Sequence, residues 1–388
     1  MTNNAHLAVD ALLPLIRKFA AQHDQQRSVE PQVIAALKAN DIMRFSASEN
    51  IGGLNQSIVR CALELEAVAG ECASTAWVLW NHLCTFHLFA GLLGPGNADQ
   101  LGDLVRSNAW VCFPAGASTG VRGQRQGEHF LLDGKAAFGS GARYAEWAGV
   151  SFVLEERDKP QFALVDLTQD QVRIDADWFA MSLRASATDT VHYEHAEVPT
   201  NRVVPFPFMY RVAFRDPERP MVHERYREDW VALSDLWLGM MAVGLLQAAL
   251  DEVVEGIRDR IAIAGVKVAE RPTVHVNLGI AQAKVTTARD AVLACCRATD
   301  QRIDDGITPT EGDYLAQLAA AMTALMLCDE ALALLLRVMG GNGLREGPAF
   351  ERRVRDFQAM PLHINVHQDR VSEQYGRHLL GLPPQNPF

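Results

Sequence analysis

Three textures follow one another along this chain, and each occurs once. Residues up to about 107 repeat apolar side chains at helical spacing. Residues from about 108 to 200 alternate short β-rich runs with turns, and the remainder returns to long helical stretches. A chain of βαβ units would interleave these textures. One block of strands between two blocks of helices instead predicts an α+β protein, mainly α. It would have an N-terminal helical domain over 1–107, a middle antiparallel β domain with a long connecting loop over 108–225, and a C-terminal four-helix bundle over 226–388.

In the first block, Leu12, Leu15, Ile16 and Phe19 mark one apolar face. Pro31 suits the first turn of a second helix carrying Val33, Ile34 and Leu37, and Asn40 suits its stop. Ile58, Cys61, Leu65 and Val68 define a third. Ser74 is placed to cap a fourth, which carries Trp77, Trp80 and Phe86 and breaks at Gly94-Pro95-Gly96. Strands are expected at 110–113, 129–132, 150–154, 162–165 and 190–193, with Asp133-Gly134 as a turn. Residues 201–228 hold four prolines and many charges, and read as a long irregular connection. Helices are then expected over 236–258, 272–304 and 315–337, lengths that pack as an antiparallel bundle with a shorter fourth member.

The chain has 388 residues, 48% of them hydrophobic and 21% charged, enough apolar material for a sizeable core. A net charge of -11 offers no basic field to nucleic acid or to an anionic membrane. The longest apolar run, 237–250, is broken at Gln247, so no uninterrupted run is expected to span a bilayer. Residues 1–6 lack the basic start and apolar stretch of a secretory signal. The seven cysteines, an odd number without a CxxC pair, read as buried thiols in a reducing compartment, so a cytoplasmic location is expected. His363 and His367, four apart, would share one face of a helix, with Asp369 nearby. No third ligand has suitable spacing and there is no HExxH, so no metal is expected.

The segment Val338-Met339-Gly340-Gly341-Asn342-Gly343, followed by Pro348, Glu351-Arg352 and Arg355-Asp356, resembles the Gly-Gly-x-Gly turn and Arg-Asp pattern of the acyl-CoA dehydrogenase superfamily. Leu183-Arg184-Ala185-Ser186-Ala187-Thr188, running on to Val198-Pro199, is similar to that family's strand ending in Val-Pro. Glu30-Pro31 through Leu37 to Gly52-Gly53 resembles its N-terminal helix pair. The likeness covers nearly the whole chain, and the three matches fall in the same order. It implies a flavin held between the β domain and the bundle, without a Rossmann GxGxxG, and a homotetramer.

Two departures bear on the chemistry. The dehydrogenases place a glutamate base after the Arg-Asp pair, where this chain has Ile364, and an arginine early in the first bundle helix, where it has Asp235. Isoleucine accepts no proton. Phe138-Gly139-Ser140-Gly141 and a histidine after the Arg-Asp motif, His363, resemble instead the flavin-dependent monooxygenases of two-component systems. That resemblance implies reduced flavin (FMN or FAD) supplied by a separate reductase, oxygen as co-substrate, and a small, aromatic or heteroatom-containing substrate. It points to His363, Ser140 and His82 as catalytic candidates, with His87 beside them, and His367, four residues after His363, is a further candidate. Phe138, Ser140, Gly141, Arg260, Arg337, Gly340 and Gly341 are the candidate flavin contacts. A histidine titrates near neutrality and so suits proton transfer. Two alternatives stay open: an FAD-dependent acyl-CoA dehydrogenase with a displaced base, and a scaffold that has kept the fold without the chemistry.

Overall fold

A computed structural model describes residues 6–115, 120–154, 157–206 and 210–383. Five helices come first: α1 (Leu13–Gln26), α2 (Pro31–Lys38), α3 (Ile58–Glu71), α4 (Ala73–Leu93) and α5 (Ala98–Arg106). Pro31 is the first residue of α2, where its missing N–H costs nothing. Ser57 caps α3 by accepting from the Arg60 N–H. Ser74 does not cap α4. The helix already begins at Ala73, and the Ser74 hydroxyl accepts from the Ala185 N–H instead.

Eight strands follow: β1 (Val111–Cys112), β2 (Arg122–Gln126), β3 (His129–Gly139), β4 (Trp147–Leu154), β5 (Arg157–Asp166), β6 (Val172–Asp175), β7 (Asp189–Pro199) and β8 (Val203–Pro205). They form one sheet in the order β6-β7-β3-β2-β4-β5-β8, with β1 beside β4. The sheet is mixed rather than purely antiparallel, because β4 pairs in parallel with both β1 and β2. Asp133-Gly134 is not a turn. It lies inside β3 at a register shift against β7, where Gly134 has φ +122° and a Cβ would sit 2.1 Å from the Gly120 carbonyl oxygen. The hairpin between β2 and β3 turns at Gly127, with φ +59°.

The connection at 201–228 is more ordered than its prolines suggest. It contains β8, a short α6 (Tyr210–Phe214) and a turn that buries Arg225, Tyr226 and Arg227; residues 207–209 lie outside the described residues. Then come α7 (Trp230–Ile257), α8 (Pro272–Asp304), α9 (Glu311–Met339), α10 (Ala349–Phe357) and α11 (Gln368–Leu379). The three long helices pack together, α10 lies on α7, and α11 lies on α9. The N-terminal helices and this bundle share one continuous core, from Ile16 and Leu65 through Trp237 and Leu245 to Val292 and Leu332. Gly244 permits that join, since a Cβ there would lie 2.1 Å from the Glu66 carbonyl oxygen on α3.

Three helical stretches are long and apolar enough to cross a membrane: α4, α7 and Glu311–Leu344. The expectation from unbroken runs is corrected here, because scattered polar residues leave a helix apolar on average. The apolar windows of α4 and α7 are 94% and 89% buried within the protein, whereas that of the third stretch is only 44% buried. All seven cysteines are free, and all but Cys295 are buried.

Candidate active site

The site is built around α4, of which every residue but Asn81 is buried. A helix apolar on all sides must be enclosed on all sides, and here the sheet and the bundle enclose it. Trp77 and Trp80, one turn apart on α4, lie with ring centroids 4.7 Å apart. Their indole N–H groups point to different domains. Trp77 donates to the Ser140 hydroxyl at 2.9 Å, and Trp80 donates to the Ser234 carbonyl on α7 at 2.7 Å. Each indole therefore anchors one wall while its ring stays in the site.

His363 closes the site from the other side. It stands in a series of tight turns between α10 and α11, where its N–H donates to the Met360 carbonyl and its own carbonyl accepts from Val366. Its ring meets Trp77 and Trp80 edge-on, with centroids 5.9 and 5.4 Å away. The side chain is 23% exposed. Behind it on α7 is Asp235, fully buried, with one carboxylate oxygen 3.7 Å from His363 Nδ1. That distance is too long for a hydrogen bond. Burial pushes the Asp235 carboxyl above its ordinary range, while His363 and Arg370 oppose that shift.

Ser140 sits at the head of a hydroxyl chain. Its Oγ lies 3.0 Å from Thr188 Oγ1, which lies 2.7 Å from Ser186 Oγ. The backbone here is unusual. Phe138, Leu183 and Ala187 all have positive φ (60°, 47° and 47°), which costs each side chain on the order of 1 kcal/mol. Gly141, with φ +75°, donates its N–H to the Ser186 carbonyl and ties the two loops together. Phe138 is 61% exposed and meets Trp178 edge-on, forming an apolar rim beside the hydroxyls.

The Arg-Asp motif turns out to hold these loops. Asp356 accepts from the Leu183 N–H at 2.7 Å, and burial pushes its carboxyl up to about 6. Arg355 forks onto Asp24, Glu351 and the Met181 carbonyl. The motif thus joins α1, the 183–188 loop and α10.

Several sequence expectations change. His82 is not free to act. Its Nδ1 accepts from the Val111 N–H at 3.2 Å, so its Nε2 donates to the Met43 carbonyl at 3.0 Å, and burial lowers its pKa to about 4. His87 bonds the Glu228 carbonyl and is lowered by burial to about 3. His367 does not share a helical face with His363, because the residues between are turns and His367 stands at the N-cap of α11. It lines a different cavity of about 330 Å³, with Met322, Asp329 and Val366. Ile364 is 63% exposed.

Of the expected flavin contacts, Phe138, Ser140 and Gly141 meet at the site. Arg260, Arg337, Gly340 and Gly341 form a second cluster at the end of α9. There Arg260 donates to the Met339 carbonyl, Arg337 is exposed, and a Cβ on either glycine would meet open space. Sequence reasoning did not give a role to Thr188, Ser186 or Trp77. The hydroxyls of the Ala185–Thr188 stretch were the available signal. It also read Asp235 only as a departure, although a carboxylate set inside the apolar start of α7 marks a paired or functional group.

Comparison with known proteins agrees with this architecture. Residues 236–368 match the acyl-CoA dehydrogenase C-terminal domain family. The oxygenase subunit HsaA of a flavin-dependent monooxygenase from Rhodococcus jostii (strain RHA1) is 26% identical over 97% of this chain and 98% of its own length. The oxygenase component of an FADH(2)-dependent resorcinol hydroxylase from Rhizobium sp. (strain MTP-10005) is 27% identical over 98% of this chain and 95% of its own. The structure of XiaF from Streptomyces sp., solved with FADH2 and glycerol, superposes with a TM-score of 0.87 at 20% identity, covering 97% of this chain and 95% of that one. The C-terminal part of the chain is thus similar to the acyl-CoA dehydrogenase C-terminal domain, and nearly its whole length is similar to oxygenase components of flavin-dependent monooxygenases.

Proposed function

We propose that this chain is the oxygenase component of a two-component flavin-dependent monooxygenase. It takes reduced FMN or FAD from a separate reductase and places one atom of O2 into a small aromatic or heteroatom-containing substrate. The observation that carries this reading is the meeting of His363, Trp77, Trp80 and Ser140 in one place, while Ile364 and Asp235 stand where a dehydrogenase has its base and its arginine.

The residues present fit a flavin ring. Phe138 and Trp178 offer an apolar rim, the Gly141 turn brings backbone close, and the Ser140 hydroxyl stands beside them at the end of an ordered chain. Reduced flavin, when bound, supplies the electron pair and the centre at which oxygen is activated. The protein does the rest. Because Trp77 only donates, it uses one Ser140 lone pair. If Ser186 donates to Thr188 and Thr188 to Ser140, the Ser140 proton is left free to be donated to a bound flavin. Trp77 and Trp80 keep water from the reacting atoms, which limits loss of oxygen as hydrogen peroxide. His363, partly exposed, exchanges a proton with the substrate.

Arg260, Arg337, Gly340 and Gly341 lie in a separate cluster at the end of α9, part of the stretch whose apolar window is less than half buried. This supports a homotetramer in which the cluster meets flavin bound to a second copy of the chain.

The test is anaerobic mixing with reduced FMN or reduced FAD, followed by oxygen. The account expects the protein to bind one of them and to delay its reoxidation relative to free flavin. Reoxidation at the rate of free flavin, together with bleaching of protein-bound oxidised FAD by an acyl-CoA, would establish the dehydrogenase reading instead. Binding of neither flavin would leave the scaffold reading.

A further inference from the structure

Asp235 is a buried acid that the reading above leaves without a task. It lies in the first turns of α7, among Val231, Leu233, Leu236 and Leu238, all fully buried. Among the described residues, neither of its carboxylate oxygens has a hydrogen-bond partner, and neither does His363 Nδ1, 3.7 Å away. The nearby indole N–H of Trp80 is already committed to the carbonyl of Ser234. A carboxylate enclosed in apolar surroundings is costly unless a donor reaches it. The donor facing it is an imidazole, and a closer approach of less than about 1 Å completes the bond.

The groups around the pair are few. Arg370 on α11 acts on Asp235 and favours its charged form. Cys84 on α4 lies near enough for Asp235 to help hold it as a thiol, although burial is the larger cause. Trp77 and Trp80, on the same helix, carry no charge.

We propose that Asp235 is the positioning residue of His363. It accepts a hydrogen bond from Nδ1–H, which fixes the imidazole tautomer and leaves Nε2 as the nitrogen that works in the site. When Nε2 takes the proton of a substrate hydroxyl, the oxygen keeps the bonding pair and becomes an anion. The imidazole becomes a cation, Nδ1 keeps its proton, and the buried carboxylate balances the new charge. The same logic places a carboxylate behind a catalytic histidine in hydrolases. The proposal rests on the assignment of His363 as the proton-exchanging group. It adds that the acid at 235, which argues against an acyl-CoA substrate, is a working part of the alternative chemistry.

The test uses the whole protein without flavin or substrate. Diethyl pyrocarbonate modifies neutral imidazole, and peptide mass spectrometry reads the rate at His363 across pH. Asp235→Asn keeps the shape and removes the charge. The proposal expects the half-maximal rate at His363 to move at least one pH unit lower in this variant, so that at acidic pH modification is about tenfold faster than in the parent protein. Overlapping profiles for the two proteins would overturn it. If Asp235→Asn does not fold, the ¹⁵N spectrum of histidine-labelled parent protein decides, with the His363 signal identified by its loss in His363→Gln. The Nδ1–H tautomer is the expected result, and the Nε2–H tautomer overturns the proposal. Because neither measurement involves flavin, a negative result removes the role of Asp235 and leaves the monooxygenase reading to the oxygen experiment.

Discussion

The two halves of α4 treat their polar groups in opposite ways. The C-terminal half carries His82 and His87 into the core. His82 has both ring nitrogens fixed to backbone, and burial holds both rings neutral. The N-terminal half carries Trp77 and Trp80, whose N–H groups are spent on the walls and whose rings face a histidine with an unpaired nitrogen. The C-terminal half is sealed in the core, where His87 keeps one buried nitrogen without a partner among the described residues, whereas the N-terminal half faces the partly exposed His363. Proximity in sequence to a tryptophan pair therefore does not make a histidine catalytic. The proposed proton-exchanging residue is instead His363, nearly three hundred positions away in sequence and 23% exposed.

Substitutions at the two ends should differ in kind as well as in size. His363→Ala removes the proton-exchanging group, and product formed per reduced flavin is expected to fall by roughly 100-fold, within the usual range for general acid–base groups. Hydrogen peroxide should rise to match, and binding of reduced flavin should change only a few-fold; unaltered coupling would remove His363 from the mechanism. The C-terminal half should respond in stability instead. The folded protein holds His82 neutral down to about pH 4, while the unfolded chain takes up a proton below about 6.5. Stability contributed by His82 is therefore intact above pH 6.5 and lost as pH falls, by about 2 kcal/mol at pH 5. In urea titrations, His82→Gln should flatten this slope between pH 7 and 5 and leave product coupling at pH 7 within two-fold. A steep slope retained in the variant would mean that other groups carry it.

Ser140→Ala is expected to be smaller than His363→Ala in its effect on coupling. Losing the hydroxyl should speed reoxidation of bound reduced flavin by about tenfold, and leaving the Trp77 N–H unpaired should cost about 1–3 kcal/mol of stability. Stopped-flow absorbance and thermal unfolding read the two effects separately. The smallest change is at the rim. Phe138→Leu keeps an apolar contact and is expected to weaken flavin affinity by only about two- to fivefold, seen in an anaerobic titration.

The comparison also explains what sequence reading reached. Pro272 and the long apolar repeat after it gave α8 its bounds, because a proline start is a local signal. The strand at Arg122–Gln126 was invisible, since its residues are polar and only Gly123 is buried. Asp133-Gly134 has turn composition, yet the pairing of β3 with β7 absorbs it as a bulge. Ser140 and His363 could be found through resemblance. Their link through Trp77, and the position of Asp235 behind His363, depend on packing between elements far apart in sequence, which no local pattern encodes. The misassignment of His82 has the same origin. A histidine on an all-apolar helix gives no sign of whether a backbone carbonyl will meet it.

The most direct test is the source of the oxygen in the product. The protein would be supplied with reduced FMN or FAD and ¹⁸O2, with a panel of phenols, indoles and sulfur heterocycles, and products read by mass spectrometry. The account predicts a product that carries one ¹⁸O atom for each reduced flavin consumed productively. A product whose added oxygen comes from water, or an unsaturated acyl-CoA formed with oxidised FAD in the absence of oxygen, would contradict it.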